Sequence, residues 1–587
     1  MNIKHYKMTF LKQISLVCFI SICFFSCEKE NKTEINAYAE FVNDMQNRGI
    51  VTGNILVYKD GEIVYQNSHG LRTINPKDSL SLDSQFRMAS VSKQFTGMSI
   101  MKLKEAGKLE YDQKVNEILR EFPYDNITVK HLLNHISGLA DYERLLDEHW
   151  KPEDSTKTYI LGNDEIIKEF HKVSPALRFQ PGEKWEYSNT GYLYLASIVE
   201  EISGQHFREF LKENIFDPLE MTNTVLYKYQ IDADANMPNR VFGYRVALNQ
   251  VDLVANDYNI VNDVRGDGGI YSTLEDLYKW NQALAKYTII SKEYLEEAWT
   301  PAKLNNGELT DYGFGWGIAS EENEPKVVRH SGGWVGFVTF LHNEVDANNG
   351  FVLLSNNSSN NIRHILEGFD DISKGKPYVM PKHQVSKGMA KKIFSKNIDE
   401  GIAYYQEVKS DTTNYDASEA SINMLGYQLM GEDRLNDALR VFKLNIDTLF
   451  VCSATAFMIL ITGAYNVHGV GDVFIVQNVA ADIAANSPAF TQMAVDSVFV
   501  GVGKPFIAVA LFFFAFTTIL AYYFIAENNI YWIKRTFKVP ALTFLLKATI
   551  MSATFYGIVK AADVAWGMGD IGVGLMAWLN IIGILII

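Results

Sequence analysis

Charged residues are unevenly distributed along the chain, and this limits what its last quarter can fold into. From Asp447 to the end, only thirteen of 141 residues are charged, less than half the 21% of the whole chain. No charged residue occurs between Asp447 and Asp472, between Lys504 and Glu527, or after Asp570. Apolar stretches of roughly 20 residues can cross a bilayer as helices. With residues 540–559, these stretches predict an all-α transmembrane segment of about four spans over residues 447–587.

The first 27 residues have the pattern of an export signal. Lys4, Lys7 and Lys12 precede the apolar run ISLVCFISICFF, which is followed by a serine and Cys27. A small residue before a cysteine at the end of such a run resembles a bacterial lipoprotein cleavage site, with Cys27 as the acylated residue. Residues 1–27 therefore predict an exported, periplasmic or cell-surface lipoprotein. A plain signal peptide or an anchor helix is the alternative.

The composition excludes several classes of function. A net charge of -15 and a pI near 5.4 argue against nucleic-acid binding, which needs a basic surface. The cysteines are Cys18, Cys23, Cys27 and Cys452, so the long middle region has no disulfide and no thiol nucleophile. No cluster of His, Asp and Glu has the spacing of metal ligands. We therefore expect no metal and no other cofactor.

Strand patterns at both ends of residues 36–375 enclose a helical middle. The run GNILVYKDGEIVYQNSHG, with its central Asp-Gly pair, predicts a β-hairpin, and YGFGWGIA, WVGFVTFLH and GFVLLSNN predict later strands. A helix is predicted from Ser90 to about Ala106, and residues 110–230 are mostly helical by periodicity. These elements predict one α+β domain whose sheet is joined from distant segments.

Residues 388–446 contain the spacing of one tetratricopeptide helix pair. In INMLGYQLMGEDRLNDALRVF, Leu425 and Gly426 precede Ala438 and Phe442 at the separations of that repeat. The small residues would let the two helices approach each other, and Phe442 would fill the space between them. A single repeat cannot bury its own face, so we expect it to pack on a neighbour. Ordinary amphipathic helices are the alternative.

The stretch FRMASVSKQF places Ser90 three residues before Lys93. Positions i and i+3 share one face of a helix, so the Ser90 hydroxyl and the Lys93 amine could meet. A lysine among apolar groups loses its proton more readily and could then take the proton of a nucleophilic serine. The spacing alone is common by chance, and a surface helix with an unrelated lysine is the alternative.

The stretch WEYSNTGY supplies further groups that a nucleophilic serine needs. Tyr187 and Asn189 are two residues apart, so on a turn both could face one cleft. A phenol near Lys93 could exist partly as phenolate and act as the general base. Asn189 could hold Lys93 or a substrate amide.

The stretch HSGGWVGF places His330 before Gly332 and Gly333, leading into a strand. Glycines there would let a substrate lie against the strand edge. The amide of Gly333 could then pair with the amide of Ser90 to hold the oxyanion of a tetrahedral intermediate.

Together, the three stretches resemble the serine β-lactamase and penicillin-binding-protein superfamily, and within it the branch of class C β-lactamases, D-aminopeptidases and esterases. Residues 90–93, 187–189 and 330–332 match its Ser-x-x-Lys, Tyr-x-Asn and Lys-Thr-Gly-type motifs. Flanking stretches such as HLLNHISGLADY and GDGGIYSTLEDLYKW also fit. The resemblance covers about residues 36–365. It implies a β-lactamase/transpeptidase-like fold, an antiparallel sheet with a helical subdomain, and Ser90 as the nucleophile.

The third motif departs from that family at His330, where penicillin-recognising members usually carry lysine. A lysine pairs with a substrate carboxylate at any physiological pH, whereas a histidine is mostly neutral near pH 7. We therefore expect esters or peptides rather than β-lactams as substrates. Alternatively, His330 only caps the strand. His135 is expected to be a structural turn residue.

The hydrophobic end has a likeness of its own. Stretches such as GVGKPFIAVALFFFAFTTILAYYF and GDIGVGLMAWLNIIGILI make residues 447–587 resemble the alanine/glycine:cation symporter family. The resemblance implies that Thr518 and Tyr522 lie on the substrate-facing helix, but it covers only the last third of such a carrier. That family forms its sites between two inverted repeats, so half a site should not transport.

The predicted topology also argues against transport by this segment. A secreted outer domain places Asp447 outside, and with four spans Lys534, Arg535 and Lys538 then fall in an external loop. This contradicts the positive-inside rule. Our interpretation is a fusion of two unrelated genes. A membrane anchor that only resembles a carrier is the alternative.

Two hypotheses of function follow. The favoured one is an exported serine hydrolase that acts through an acyl-enzyme intermediate on an ester, an amide or a D-amino-acid peptide. Its partners would be the membrane and a small-molecule or peptide substrate, such as a cell-wall fragment. The rival is a membrane transport protein, or a sensor whose non-catalytic outer domain binds peptidoglycan-like ligands. A covalent adduct on Ser90 separates the two.

Overall fold

The computed structural model describes residues 36–445 apart from short gaps, together with two isolated strands. The gaps are residues 153, 155, 229–236, 320–324 and 360–361. The chain divides into two compact units, Met1–Ala417 and Ser418–Ile587, and the division falls inside the predicted segment 388–446. The predicted signal with Cys27, and most of the predicted transmembrane segment, Thr518 and Tyr522 included, lie outside the described residues.

The strands of the described chain fall in groups before, between and after runs of helices. The strands are β1 Gly53–Lys59, β2 Glu62–His69, β3 Leu71–Ile74, β4 Lys77–Ser79, β5 Phe86–Arg87, β6 Val225–Leu226, β7 Tyr244–Val246, β8 Leu253–Ala255, β9 Ile270–Ser272, β10 Gly317–Ala319, β11 Val327–Trp334, β12 Phe337–Glu344, β13 Asn349–Ser355, β14 His383–Gln384, β15 Tyr415–Asp416, β16 Asn466–His468 and β17 Phe474–Gln477. The helices are α1 36–47, α2 Lys93–Glu105, α3 Val115–Ile118, α4 Val129–Leu133, α5 Tyr142–His149, α6 Asn163–Val173, α7 Asn189–Ser203, α8 Phe207–Leu211, α9 Leu274–Ala285, α10 Lys292–Ala298, α11 Arg363–Ser373, α12 Val385–Ser395, α13 Ile398–Val408, α14 Glu419–Gly431 and α15 Leu435–Phe442. Tighter 3₁₀ turns occupy Ala89–Ser92 and Lys443–Asn445, and a π-helical turn occupies Lys212–Phe216.

A six-stranded antiparallel sheet in the order β10-β11-β12-β13-β1-β2 lies in the first unit. Its first strand in the sequence, β1, pairs with its last, β13, and Ile55 lies opposite Leu353. Helices α2 to α10 lie between these strands in the sequence, so the sheet joins segments from both ends of the domain. The predicted α+β class is confirmed.

Alternate residues of the central strands point to opposite faces of the sheet. Ile55 and Leu353 enter a cluster that contains Phe41 of α1 and Phe369 of α11. Their neighbour Leu56 enters the larger cluster, to which α2 and α7 contribute. Burial of each such side chain stabilises the folded protein by about 1.5–3 kcal/mol. The sheet is therefore covered on both faces.

The predicted hairpin is the one that joins β1 to β2 through Asp60 and Gly61. Both residues have positive φ angles, 51° and 78°, as a two-residue type I′ turn requires. Aspartate tolerates the left-handed region, and glycine has no Cβ to clash there. The Asp-Gly pair therefore determines where the chain reverses.

The helix predicted from Ser90 begins in two steps. Residues Ala89–Ser92 form a 3₁₀ turn, and the α-helix starts only at Lys93. Within α2, a Cβ on Gly97 would lie 2.0 Å from the carbonyl oxygen of Phe314. Only glycine therefore lets α2 lie this close to the loop that precedes β10.

Two helix pairs follow the sheet. In the first unit α12 packs on α13, where Gly388 lies against the ring of Tyr404. In the second unit α14 packs on α15, where Gly426 lies against the ring of Phe442, the contact that the sequence predicts. The tetratricopeptide assignment itself stays a prediction. None of the helices within the described ranges combines the length and the apolar character that a membrane crossing needs.

Candidate active site

Ser90 lies in the 3₁₀ turn that joins β5 to α2. The preceding residue, Ala89, has a φ of 48°, a left-handed conformation that costs a non-glycine residue about 1–2 kcal/mol. Neighbouring strands hold the turn at Met88, whose N–H donates to the carbonyl of Ile270 at 2.8 Å and whose carbonyl accepts from Thr339 Oγ1 at 2.7 Å. This fixed backbone places Ser90 on the wall of a cavity of about 510 Å³.

Lys93 is fully buried, and its side-chain nitrogen has three hydrogen-bond partners. Nζ lies 2.8 Å from the backbone carbonyl of Asp267, 2.9 Å from Asn189 Oδ1 and 3.2 Å from Ser90 Oγ. The first two oxygens can only accept, so each takes an N–H of the amine. In the neutral amine the lone pair therefore points at the Ser90 hydroxyl. In this geometry Lys93 can take the proton of Ser90.

Asn189 is the first residue of α7, and the start of the helix fixes its position. Ser188 caps the helix, and its own N–H donates to His135 Nδ1 at 3.0 Å. Because Asn189 Oδ1 accepts from Lys93, its amide nitrogen is left to donate to Glu143 Oε1, at a long 3.5 Å. The amide of Asn189 thereby links Lys93 to a carboxylate.

His135 has the contacts of a structural turn residue, as expected. Its backbone is left-handed, with a φ of 59°, and its side chain is completely buried. Its ring packs against the rings of Tyr187 and Tyr192. Burial and the nearby Lys93 hold the pKa of His135 well below its usual range, so the ring is neutral.

Tyr187 presents the face of its ring to Lys93. Nζ lies 4.8 Å from the ring centroid, and the side chain is 38% exposed. Among the described residues, the Tyr187 hydroxyl has no hydrogen bond to Ser90 or Lys93. A base must lie within hydrogen-bond reach of the proton it takes, so the base role of Tyr187 stays a prediction.

Gly332 and Gly333 of β11 differ in the space around their Cα atoms. A Cβ on Gly332 would lie 2.2 Å from the Met88 carbonyl oxygen and 2.3 Å from Thr339 Oγ1, so only glycine lets β11 approach the turn that carries Ser90. A Cβ on Gly333 would meet no atom within 4 Å, and Gly333 lines the cavity together with Ser90. This placement suits the predicted pairing of the two backbone amides around an oxyanion.

The outer edge of β11 is open beside the cavity. Strand β10 pairs only with Val327–Arg329, and in the part of the chain that the structure describes no strand covers this edge from His330 to Trp334. An extended peptide can add to such an edge through main-chain hydrogen bonds.

His330 points away from the cavity into the protein. Nδ1 lies 2.6 Å from the Ser331 carbonyl oxygen, which can only accept, so Nδ1 carries the proton. Nε2 then accepts from the Tyr312 hydroxyl at 2.7 Å. Burial, with Lys93 nearby, lowers the pKa of His330 to about 3. The ring is therefore neutral, and His330 does not line the cavity that holds Ser90.

The cavity also contains two carboxyl groups that the sequence analysis did not assign. Asp267 is buried, its carboxylate accepts from the Tyr142 hydroxyl at 2.9 Å, and burial raises its pKa. Glu143 lines the cavity, and burial raises its pKa to about 7. Asp267 lies in the stretch GDGG, and Glu143 directly follows GLADY. The fit of these two stretches to the family is the sequence signal that could have indicated both residues. Only the fold brings these two segments together. Among the described residues, no group of three or more His, Cys, Asp and Glu side chains is placed to hold a metal ion.

Residues 39–367 match the family model described as Beta-lactamase, which covers more than half of the chain. The chain belongs to this family. Penicillin-binding protein 4* of Bacillus subtilis (strain 168) is 36% identical over 344 residues, which cover 57% of this chain and 75% of that protein. The structure of the octameric penicillin-binding protein homologue from Pyrococcus abyssi is 26% identical with a TM-score of 0.50, over 58% of this chain and 77% of that one.

Residues 434–587 match a second family model, the Sodium:alanine symporter family. The putative sodium/proton-dependent alanine carrier protein YrbD of Bacillus subtilis (strain 168) is 52% identical over 149 residues. That match covers 25% of this chain but only 30% of the carrier, so the chain spans less than a third of it. Both resemblances seen in the sequence are confirmed, and the second implies that the C-terminal segment associates with a membrane.

The site of this β-lactamase-family domain contains the parts that acyl transfer needs. The nitrogen of a buried lysine lies 3.2 Å from the serine hydroxyl oxygen, and Ser90 and Gly333 line the same cavity. Family members with this arrangement are serine hydrolases and, in general, enzymes. The domain is therefore a serine hydrolase-like domain of the β-lactamase and penicillin-binding-protein type.

Proposed function

We propose that residues 36–375 form a serine hydrolase that acts through an acyl-enzyme intermediate on an ester, an amide or a D-amino-acid peptide. The observation that carries this proposal is the position of Lys93 Nζ, with two obligate acceptors on one side and Ser90 Oγ on the other. The open edge of β11 supports an extended, peptide-like substrate, such as a fragment of cell-wall peptide.

In the acylation step, Ser90 Oγ forms a bond to the substrate carbonyl carbon while its proton passes to the lone pair of Lys93. The electron pair of the carbonyl moves to its oxygen, and the amides of Ser90 and Gly333 stabilise that negative charge. The intermediate collapses when the bond to the leaving alcohol or amine breaks. The leaving group takes the proton from Lys93, directly or through Tyr187.

In the deacylation step, a water molecule attacks the same carbonyl carbon. Lys93, again neutral, accepts a proton from this water, and the bond from Ser90 Oγ to the acyl group breaks. Ser90 regains its proton, and the carboxylic acid product leaves. No external reductant, oxidant or cofactor takes part.

Export places this chemistry outside the cytoplasm. We propose that residues 1–27 direct the chain out of the cell as a lipoprotein acylated at Cys27, because the basic start, apolar run and small residue before cysteine match that pattern. A cell-wall fragment or another extracytoplasmic ester or peptide would then be within reach.

The test is covalent labelling of the full chain, purified in detergent. A fluorophosphonate should add to Ser90, with the expected mass increase on the peptide that contains it, and p-nitrophenyl acetate should be hydrolysed. Ser90→Ala should lose both the label and hydrolysis, whereas Ser373→Ala, at an exposed serine of α11, should keep both. Labelling that persists in Ser90→Ala would refute the proposal.

The match to the symporter family favours a second candidate function. The chain would then be a membrane transport protein, or a sensor whose outer domain binds peptidoglycan-like ligands without cleaving them. Neither requires an adduct on Ser90, so the same labelling experiment separates these functions from hydrolysis. We give this candidate second place because the chain spans only 30% of the carrier it resembles.

A further inference from the structure

We infer that a second cavity, on the face of the six-stranded sheet opposite to Ser90, binds a fatty acid. The carboxylate would pair with Arg329 of β11, and the acyl chain would lie over aromatic rings of β12 and β13. This site takes no part in the proposed hydrolysis, so the inference goes beyond the proposed function and does not depend on it.

The second cavity and the reaction site lie on opposite faces of β12. Thr339 points towards the turn that carries Ser90, because its hydroxyl donates to the Met88 carbonyl at 2.7 Å. Successive side chains of a strand point to opposite faces, so the next residue, Phe340, points away from that turn. Phe340 lines a cavity of about 810 Å³, a volume within the usual range of small-molecule sites.

A row of side chains across the sheet forms one wall of this cavity. The strand register places Arg329 of β11 opposite His342 of β12, and His342 opposite Phe351 of β13. The His342 ring stacks on the Phe351 ring with 4.8 Å between centroids. Phe351 also contacts the rings of Phe369 of α11 and of Phe340, at 5.1 and 5.9 Å. All five residues line the cavity, which therefore has a cation at one end and packed rings at the other.

Arg329 brings a positive charge that no counter-charge balances. Its side chain is exposed, and within the parts of residues 36–445 that the structure describes its guanidinium group has no hydrogen bond or ion pair. Lys376, exposed at the same cavity, has no such partner for its amine there either. An anionic ligand would therefore meet cations that are not engaged elsewhere.

The carboxylates that line the cavity are already paired. Glu344 accepts from Asn349 Nδ2 at 3.0 Å, and Asp370 pairs with Lys374 at 3.0 Å. Glu367 pairs with the arginine one turn earlier on α11, at 2.8 Å. Since these acids have partners of their own, they do not cancel the charge of Arg329. The charge of the cavity therefore favours an anion.

The separation of the charged and apolar ends determines which anion fits. Neighbouring strands lie about 4.8 Å apart, so two strand spacings put the backbones of Arg329 and Phe351 about 10 Å apart. Acetate or phosphate is too short to reach both ends. A carboxylate suits Arg329, because a guanidinium group can bind both of its oxygens. One acyl chain can follow the single row to the rings, whereas a phospholipid would bring two chains. A fatty acid therefore fits best.

The experiment is photolabelling of the full chain in phosphatidylcholine nanodiscs with a palmitic acid that carries a diazirine on its chain. Irradiation should label peptides from β12 and α11, which mass spectrometry of the digest identifies. Excess palmitic acid should remove this label, whereas excess methyl palmitate should not, because the ester has no charge for Arg329. The labelling is then compared between variants.

Arg329→Gln should lower labelling of these peptides about tenfold or more, because a charge-assisted hydrogen bond is lost. Arg144→Gln, at an exposed arginine of α5 outside the cavity, is the matched control and should keep the wild-type level. Thermal unfolding of both variants checks that each is folded.

Several results would overturn the inference. One is label confined to the apolar segment 447–587, which would show only that the fatty acid dissolves in the membrane part. Another is label on β12 and α11 that Arg329→Gln leaves unchanged, or that methyl palmitate removes as well as palmitic acid does. Label that phosphatidylglycerol removes and palmitic acid does not would identify a phospholipid as the occupant instead. None of these results involves Ser90, so the labelling of Ser90 tests the proposed hydrolase separately.

Discussion

Lys93 donates to Asn189 Oδ1 across 2.9 Å and so joins two helix starts that lie 96 residues apart in the sequence. The backbone carbonyl of Asp267 accepts a second N–H of Lys93, at 2.8 Å. These two bonds leave one direction of the amine free, and Ser90 Oγ lies there. The reactivity of Ser90 therefore depends on contacts between three distant segments of the chain.

Lys93→Ala should lower kcat for p-nitrophenyl acetate by about 10²–10⁴-fold, because the Ser90 hydroxyl loses the group that takes its proton. Lys102→Ala on the same helix is the control, since Lys102 is partly exposed and pairs with Glu105. The rates are measured with the purified full chain, and thermal unfolding checks that both variants fold. Near-normal hydrolysis by Lys93→Ala would contradict the base role of this lysine.

Gly332→Ala and Gly333→Ala should behave differently although they are adjacent. At Gly332 the new methyl group would overlap the Met88 carbonyl and Thr339, so we expect a loss of about 1–3 kcal/mol in the free energy of unfolding and slow labelling of Ser90. At Gly333 the methyl group meets open space, so stability should stay near that of the wild type while KM for a peptide substrate rises. Urea denaturation measures the stability of both variants, and kinetics with a peptide substrate measure KM. Equal loss of stability in the two variants would show that β11 lies elsewhere.

The buried state of His330 predicts how stability changes with pH. Burial lowers the pKa of His330 to about 3 in the folded protein, against an ordinary value of 6.5. Between these two pH values the unfolded chain therefore binds a proton at this residue and the folded protein does not. Stability contributed by this site is therefore present above pH 6.5 and is lost as pH falls towards 3. The loss between pH 6.5 and 5 is on the order of 2 kcal/mol.

His330→Gln should remove that part of the pH dependence. The free energy of unfolding of the wild type and the variant is measured by urea denaturation at pH 7 and pH 5. The wild type should lose more stability than the variant between these two values. His135 is buried and has a lowered pKa as well, so some loss at acid pH should remain in the variant. Identical pH dependence in both proteins would mean that His330 is exposed to water.

Neutral His330 also predicts substrate preference. Because its ring is turned towards Tyr312 and carries no charge, position 330 does not supply the cation that the family resemblance associates with a substrate carboxylate. We expect slow or no turnover of a cephalosporin beside measurable hydrolysis of p-nitrophenyl esters. The comparison uses kcat/KM for both substrates on one preparation. Faster turnover of the cephalosporin than of every ester tested would refute this explanation.

The sequence predicted the parts of this site that depend on local spacing. Ser90 and Lys93 share one turn and the start of one helix, and the Asp-Gly pair of the first hairpin sets its own turn, so short-range geometry was sufficient. The direction of the His330 ring was not predictable, because its partner Tyr312 comes from the loop before β10. The carboxylate of Glu143 was missed for the same reason, since only tertiary packing brings it to Asn189.

The last prediction concerns the segment from Asp447 onward, which we expect to carry no sodium-coupled alanine uptake. A symporter holds substrate and ion between two repeats and exposes them to each side in turn. This chain spans 30% of the carrier it resembles, so groups that coordinate substrate and ion from the other repeat should be missing. Polar groups that normally face the absent helices would meet lipid, at several kcal/mol for each unpaired group. The test is uptake of radiolabelled alanine by vesicles that contain the full chain, with and without a sodium gradient, against empty vesicles. Accumulation that depends on sodium and exceeds that of empty vesicles would show that the segment assembles a working site, for example as an oligomer, and the interpretation as a carrier fragment fused to a hydrolase would be wrong.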